Sequence, residues 1–357
     1  MNLKKLQKKL KAQPKKEKNP KLLSTGSTLL NCQCSGDPLG GWMIGKYHLA
    51  VGDSSSGKTA LALTCLAEAS IDKRFDDYEL VHDDIEGGNL FNIKKLFGKK
   101  LAKRLKTVHS TTSESLYYNI DDFIKAGRPF IYIVDSSDGL DTEENEAKFQ
   151  KKKKAYKKKK AGEVVADVSG SYGTSKAKMH STNLPRLVSK LREMKSIVII
   201  ICQTRDNIGF GSIYGDKSTH SGGKALKFYA TLQVWSTIKK RLRKKVRGKN
   251  KTIGIISKIN VKKNRINGQE GSVEVPIYYS LGFDDLGSCV DFLVENKHWK
   301  KASGKIKAVE FDFVGTKEKL ISMIEENELR RKLQKIVGVV WDEIEQESRV
   351  KRKSKYA

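Results

Sequence analysis

Short apolar runs at residues 47–51, 78–82, 130–135, 197–202 and 229–235 recur along the chain, separated by stretches whose apolar residues fall at helical spacing. They read as buried strands alternating with helices from Leu23 to about Gly282, a pattern that predicts an α/β fold with helices on both faces of one sheet. Segments 254–261 and 273–279 read as a later antiparallel pair joined through Asn267-Gly268, a hairpin-type turn signal. Pro185 stands near the start of a leucine-spaced stretch (Leu184, Leu187, Leu191), which predicts a helix opening at Thr182 or Asn183. From about Phe283 helices dominate, and Leu329, Leu333, Ile336, Val337, Val340 and Ile344 mark one amphipathic helix before a basic tail, 349–355. At the other end, Leu3, Leu6 and Leu10 have helical spacing and are followed by Pro14 and Pro20, the pattern of a short amphipathic helix and an extended linker. The predicted organisation is a basic arm (1–22), a core (23–282) and a small, mostly helical lobe (283–357).

Charge changes the picture. Lys and Arg number 70 against 41 Asp and Glu, a formal net charge of +29. Such an excess points to a polyanionic partner, nucleic acid or an anionic surface. Between Glu143 and Gly173 the composition shifts, with Lys151–Lys154 and Lys157–Lys160 split by Ala155-Tyr156 and followed by Gly and Ser. Like charges at that density repel, so this insertion is expected to face solvent or to stay disordered until an anion orders it. No run approaches the ~18–20 apolar residues of a membrane span, and the N-terminus does not read as a secretory signal. Cys32-Gln33-Cys34 has no second Cys/His pair nearby, so the five cysteines read as free thiols in a reducing, cytoplasmic setting.

The chemistry begins after the first strand. Gly52-Asp53-Ser54-Ser55-Ser56-Gly57-Lys58-Thr59 fits G-x-x-x-x-G-K-[ST] between His48-Leu49-Ala50-Val51 and the helix-forming Ala60-Leu61-Ala62-Leu63. In that strand–loop–helix context backbone N–H groups turn inward on a polyphosphate. Lys58 supplies a point charge, Thr59 a ligand to Mg²⁺, and the helix N-terminus a partial positive charge. A nucleoside triphosphate is therefore the expected ligand. The run 130–135 ends in Asp135, placed to support the metal's water shell. The water-orienting group that hydrolysis needs could be any of Asp83, Asp84 or Glu86, with Asp83 the best candidate for a structural cap. The strand 196–202 ends in Gln203, able to hydrogen-bond a γ-phosphate, and leads into a long polar loop, Asp206 to Lys224.

Together these residues resemble the bacterial RecA-type strand-exchange recombinases, in a divergent, phage-like form. The resemblance runs through Leu23-Ser24-Thr25-Gly26-Ser27, Leu39-Gly40-Gly41, Ser55–Thr59, Asp84-Ile85-Glu86, Ile133-Val134-Asp135-Ser136 and Gln203-Thr204-Arg205. Its most specific stretch is Ser221-Gly222-Gly223-Lys224-Ala225-Leu226-Lys227-Phe228-Tyr229-Ala230, and Val261-Lys262-Lys263-Asn264-Arg265-Ile266 resembles the family's strand-borne basic pair. It covers roughly residues 23–300. It implies a RecA-like ATPase core with a central, mainly parallel sheet, using ATP and Mg²⁺. Residues 52–59 and Asp135 would bind the nucleotide, with Thr59 and Asp135 at the metal and Tyr279 against the nucleotide. Glu86 would polarise the water, and Gln203 would couple the γ-phosphate to the loop beyond it. Lys263 and Arg265 would reach the triphosphate of an adjacent subunit in a filament, and Phe228 would lie at the subunit contact. Lys176 and Lys178 in a first loop, and Arg205, Ser221, Gly222, Gly223 and Lys224 in a second, would touch DNA, single-stranded or duplex.

Three departures stand out: the lysine insertion at 148–160, Lys224 where the family usually carries an amide, and a basic rather than acidic tail. They imply DNA loading with less restraint, duplex included. The implied function is ATP-dependent homologous pairing and strand exchange by a filament on single-stranded DNA. Its rivals are a ring helicase on the same ATPase core and a DNA-coating protein without catalysis.

Overall fold

The computed structural model describes residues 22–88, 91–160, 175–206, 218–220, 223–352 and 355. The leucine-spaced arm therefore lies outside the described residues, as do Ser221 and Gly222. Two short strands, β1 (Leu22–Leu23) and β2 (Trp42–Met43), pair antiparallel ahead of the main sheet. That sheet contains β3 (Tyr47–Gly52), β4 (Glu79–Asp84), β5 (Leu105–Val108), β6 (Phe130–Asp135), β7 (Ile197–Asp206), β8 (Ser218–His220), β9 (Leu232–Val246), β10 (Lys249–Asn264), β11 (Gly271–Tyr278) and β12 (Gly282–Phe283).

The strand order is β12-β11-β10-β9-β3-β7-β6-β4-β5, with β8 paired to β7. From β9 to β5 neighbours run parallel, and from β9 to β12 antiparallel. The expected mainly parallel α/β core is what forms.

Side chains alternate across the central strands. Ile197, Ile199 and Ile201 of β7 enter one apolar cluster with Ile131, Ile133, Leu61 and Leu66. Val198, Ile200 and Cys202 enter the cluster on the opposite face with Tyr132, Val134, Leu116, Leu187 and Leu191. The helix Lys58–Ile71 thus covers one face, and Ser113–Lys125 with Ser175–Met194 covers the other. Burying each such Ile or Leu contributes ~1.5–3 kcal/mol, which is why these strands sit centrally while the polar β5 lies at the edge.

Several sequence expectations need correction. Pro185 does not open a helix; it lies inside the one described from Ser175 to Met194. The missing proline N–H is tolerated because Leu184, Leu187 and Leu191 are buried on the sheet and Tyr117 Oη lies 2.9 Å from His180 Nδ1 one turn earlier. The strand expected at 229–235 begins at Leu232 and runs to Val246, because Tyr229 ends the helix Lys224–Tyr229. The lysine insertion, by contrast, faces solvent as expected where it is described: Glu143–Lys160 is a helix with no buried residue. Its glutamates in the first turn and lysines in the last match the helix dipole.

The C-terminal region holds the helices Asp285–Glu295, Lys317–Glu326 and Arg330–Glu347. It also holds a small antiparallel sheet, β13 (Lys300–Ala302), β14 (Lys305–Ala308) and β15 (Phe313–Gly315). Its Leu293, Trp299, Ile306, Leu320 and Ile336 join the same apolar cluster as Leu30, Trp42 and Leu63. No described helix is long and apolar enough to cross a membrane.

Candidate nucleotide and DNA site

Parallel pairing carries the carboxyl ends of the central strands to one edge of the sheet, where ligands of open α/β sheets bind. Gly52 on β3 pairs with Gln203 on β7, and Asp84 on β4 pairs with Asp135 on β6. The G-x-x-x-x-G-K-T loop leaves β3 at this edge and enters the helix Lys58–Ile71.

Neighbouring strands hold that loop tightly. Ser56 Oγ lies 2.7 Å from Ser236 Oγ, and Ser257 Oγ donates to the Ser56 carbonyl at 2.8 Å. A Cβ on Gly52 would stand 2.2 Å from Ser236 Oγ, and one on Gly57 would stand 2.4 Å from Ile277 Cδ1. Gly57 also has φ +97°, a left-handed conformation at the helix N-cap, and no side chain caps the helix there. The first helical N–H groups therefore face the loop's mouth without a side-chain acceptor, the arrangement that favours an anion.

Lys58 is buried, and its Nζ donates to the carbonyls of Gly52 at 2.8 Å and Asp53 at 2.6 Å. Burial lowers its pKa, opposed by the charges of Asp135, Asp53, Glu86 and Asp138. A cation surrounded by four carboxylates, beside uncapped N–H groups, suits a phosphate group that brings magnesium with it. Mg²⁺ commonly keeps one or two protein ligands plus phosphate oxygens and water, and Thr59 with Asp135 fits that set.

The three carboxylates after β4 diverge. Asp83 is buried and accepts from Ser110 N at 2.8 Å, Ser110 Oγ at 2.5 Å and Tyr132 Oη at 2.7 Å. Asp84 is also buried, and its carbonyl accepts from His109 Nδ1 at 2.9 Å. Glu86 is exposed at the edge, where its Oε1 accepts from the Ser136 hydroxyl and from Gln203 Nε2 at 3.1 Å. Asp135 is held by His82, whose Nε2 lies 3.4 Å from Oδ2.

The end of β7 is tied on both sides. Gln203 N donates to Asp138 Oδ2 at 2.7 Å, and Thr204 Oγ1 donates to Asp53 Oδ1 at 2.5 Å. One connected set of hydrogen bonds thus spans the phosphate loop, the β6 turn and the strand that enters the second polar loop. Thr204, Arg205 and Asp206 pair antiparallel with His220, Thr219 and Ser218, closing that loop at its base.

Lys176 is turned inward: Nζ donates to the carbonyls of Ser137, within hydrogen-bond distance, and Leu140, at 3.1 Å. Lys178 and Lys224 are exposed. Lys176 and Lys178, expected in a loop, lie in the first turn of the helix Ser175–Met194, and a Cβ on Gly223 would meet Ala177 Cβ of that helix at 2.8 Å, so the two DNA-contact candidates converge there. Arg205 is described only as part of the β7 ladder.

Lys263 and Arg265 lie elsewhere. Lys263 Nζ donates to the carbonyls of Lys227 and Phe228, both at 2.8 Å, and the Arg265 guanidinium stands 6.0 Å from the centre of the exposed Phe228 ring. Along β10 they are six and eight residues past Ser257, which touches the phosphate loop, and Lys263 pairs with Gln233, which pairs with Leu49 at the far side of β3 from the loop. Within one chain the basic pair and the phosphate loop are not brought together. Burial, with the neighbouring Arg265 and Lys227, pushes the Lys263 pKa down to about 8. Tyr279 is exposed just past β11, two residues from the Ile277 that abuts Gly57.

Sequence reasoning gave no role to His82, Ser136, Asp138, Ser236 or Ser257. Asp138 could have been noticed two residues beyond Ser136 in the Asp135-Ser136-Ser137-Asp138 string; Ser236 and Ser257 carry no local signal.

The RecA N-terminal domain family matches residues 157–284. Protein RecA of Malacoplasma penetrans is 27% identical over 343 residues, covering 92% of this chain and 89% of that protein. Protein RecA of Ureaplasma parvum serovar 3 is 28% identical over 286 residues, covering 80% and 76%. Protein RecA of Mycoplasma genitalium is 27% identical over 312 residues, covering 87% and 83%.

Proposed function

We propose that this chain is a RecA-type recombinase, a DNA-dependent ATPase that forms filaments on single-stranded DNA and promotes homologous pairing and strand exchange, a reading supported by its similarity to the RecA N-terminal domain family and to Protein RecA of Malacoplasma penetrans. The observation that carries the reading is the connected set Asp53–Thr204 and Glu86–Gln203–Asp138, which links a triphosphate loop to the base of a polar loop.

In this reading residues 52–59 cradle ATP, and Lys58 exchanges its two loop carbonyls for phosphate oxygens. Thr59 and Asp135 would hold Mg²⁺, which neutralises charge on the phosphates when bound. Glu86 accepts the proton side of the attacking water, while Gln203 leaves Glu86 for the γ-phosphate and draws β7 with it. The chemistry is positioning and charge stabilisation rather than covalent catalysis. Lys263 and Arg265, remote from the phosphate loop of their own chain, are suited to meet the triphosphate of the next subunit. Hydrolysis would then require assembly. Lys178, Gly223 and Lys224, with Arg205, Ser221 and Gly222, would contact the strand. The setting is the cytoplasm of a bacterium or of a phage-infected cell.

The test is ATP hydrolysis with and without single-stranded DNA for the wild type and Glu86→Gln, with particles viewed by negative-stain microscopy. DNA-stimulated hydrolysis that disappears in the variant while filaments persist supports the proposal. Hydrolysis indifferent to DNA, or rings instead of filaments, rejects it in favour of a ring motor.

A further inference from the structure

The β9–β10 hairpin extends well past the sheet. The pairing of β9 with β3 ends at Ser236, and that of β10 with β11 begins at Gly254, yet the two strands stay paired to each other out to Val246 and Lys249. Residues 239–251 of this ribbon include nine Lys or Arg and no Asp or Glu. The one register shift in this stretch skips Ile253 on β10, opposite Leu242 and Arg243, and β9 itself pairs without a skipped residue from Lys240 to Val246, so its side chains alternate there.

Lys240 and Lys244 share one face with Lys249 and Lys251, while Arg241, Arg243 and Lys245 occupy the other beside Asn250 and Thr252. All seven cationic residues are exposed. Lys244 stands directly opposite Lys251, a like-charge pair that disfavours the ribbon on its own. A ribbon that carries repulsive charge on both faces is built for surroundings that are anionic on both sides.

We propose that this ribbon is a duplex-DNA arm that enters the major groove, its two faces turned to the phosphate walls on either side; this rests on the reading that the chain works on DNA. The major groove, about 12 Å wide, admits a two-stranded ribbon. A flat anionic membrane would engage one face and leave the other repelled. Single-strand binding uses aromatic platforms for base stacking, and residues 237–253 contain no Phe, Tyr or Trp. Duplex DNA is the partner that answers both the charge and the composition.

The test uses the full chain and two variants. One carries Lys240, Lys244, Lys249 and Lys251→Gln; the other carries Arg241, Arg243 and Lys245→Gln. Binding to a short labelled duplex, to a single strand of the same length with ATP, and to phosphatidylserine vesicles is measured across a salt series, beside thermal unfolding. Each variant is expected to weaken duplex binding by roughly tenfold or more and to reduce its salt slope by about 2–3, with single-strand binding and unfolding temperature retained.

The proposal is overturned by unchanged duplex binding in both variants, by a loss confined to one face, by an equal loss on single strands, or by a loss seen only on vesicles. Single-strand-stimulated ATP hydrolysis by the wild type reports separately on the recombinase reading. Its absence would reject that reading, while the duplex series would still decide the role of the ribbon.

Discussion

Gln203 Nε2 donates to Glu86 Oε1 at 3.1 Å, joining the tip of a central strand to the only one of three neighbouring carboxylates that stands exposed at the phosphate edge. In the proposed mechanism the two side chains separate when the γ-phosphate arrives, freeing Glu86 for water. Glu86→Gln should lower turnover by about 10²–10⁴-fold with ATP binding retained. Gln203→Ala should keep slow hydrolysis but abolish its stimulation by single-stranded DNA. Steady-state hydrolysis beside equilibrium ATP binding checks both; full stimulation in Gln203→Ala would remove the glutamine from the coupling.

The phosphate loop tolerates no side chain at Gly52. A Cβ there would meet Ser236 Oγ at 2.2 Å and the Ser236 carbonyl oxygen at 2.4 Å. Gly52→Ala should destabilise the fold by roughly 1–3 kcal/mol and abolish ATP binding. Adding Ser236→Gly should not rescue it, because the carbonyl remains. Chemical denaturation and ATP titration of the double variant decide; full rescue would mean the hydroxyl alone fixes the approach.

Lys176 and Lys178, equivalent in sequence terms, separate in the structure. Lys176 donates to the Ser137 and Leu140 carbonyls, whereas Lys178 is exposed. Lys176→Met should cost about 1–3 kcal/mol through unsatisfied carbonyls and leave the salt slope of single-strand binding alone. Lys178→Met should leave stability alone and reduce that slope by about 0.7. The reverse pattern would make Lys176 the phosphate contact.

Much of this edge was legible in the sequence because its residues terminate apolar runs. Once β3, β6 and β7 are read as parallel neighbours, Gly52, Asp135 and Gln203 must share one end of the sheet. What escaped notice has a common physical cause. The strands beyond Ser236 have no apolar alternation, since no core covers them, so backbone pairing alone makes the ribbon and residues 239–251 carried no strand signal. The position of Lys176 depends on a turn 39 residues earlier in the chain, and that of Ser236 on a strand 180 residues from Ser56. Pro185 misled because proline ordinarily marks a helix start, and burial of the leucines around it overrode that preference.

Lys263 should make assembly sensitive to pH. Burial and two neighbouring cations bring its pKa to about 8 in the single subunit, from an ordinary 10.5. Because the unfolded chain binds the proton more tightly, this residue makes subunit stability rise with pH between those values. A phosphate from the next subunit favours the charged amine, so assembly must take up a proton in the same window and weaken as pH rises through it. Lys263→Arg, which stays charged, should flatten the dependence. Half-maximal protein concentration for DNA-stimulated hydrolysis, followed from pH 7 to 9.5, measures this; a parallel rise in wild type and variant would exclude the residue.

The helix Glu143–Lys160 raises a separate question of loading. It has no buried residue, three glutamates in its first turn and four lysines in its last, and it leaves Phe149 and Tyr156 60% and 68% exposed. Repulsion among lysines three and four apart weakens such a helix, and a bound polyanion would relieve it. Deleting 148–160, or the basic tail 349–357, should weaken duplex binding and flatten its salt dependence by about 0.9 for each phosphate no longer neutralised. If helix, tail and ribbon bind DNA independently, the slope changes should add when deletions are combined with the ribbon substitutions. Unchanged slopes in both deletions would leave these segments as solvated charge and assign duplex loading to other surfaces.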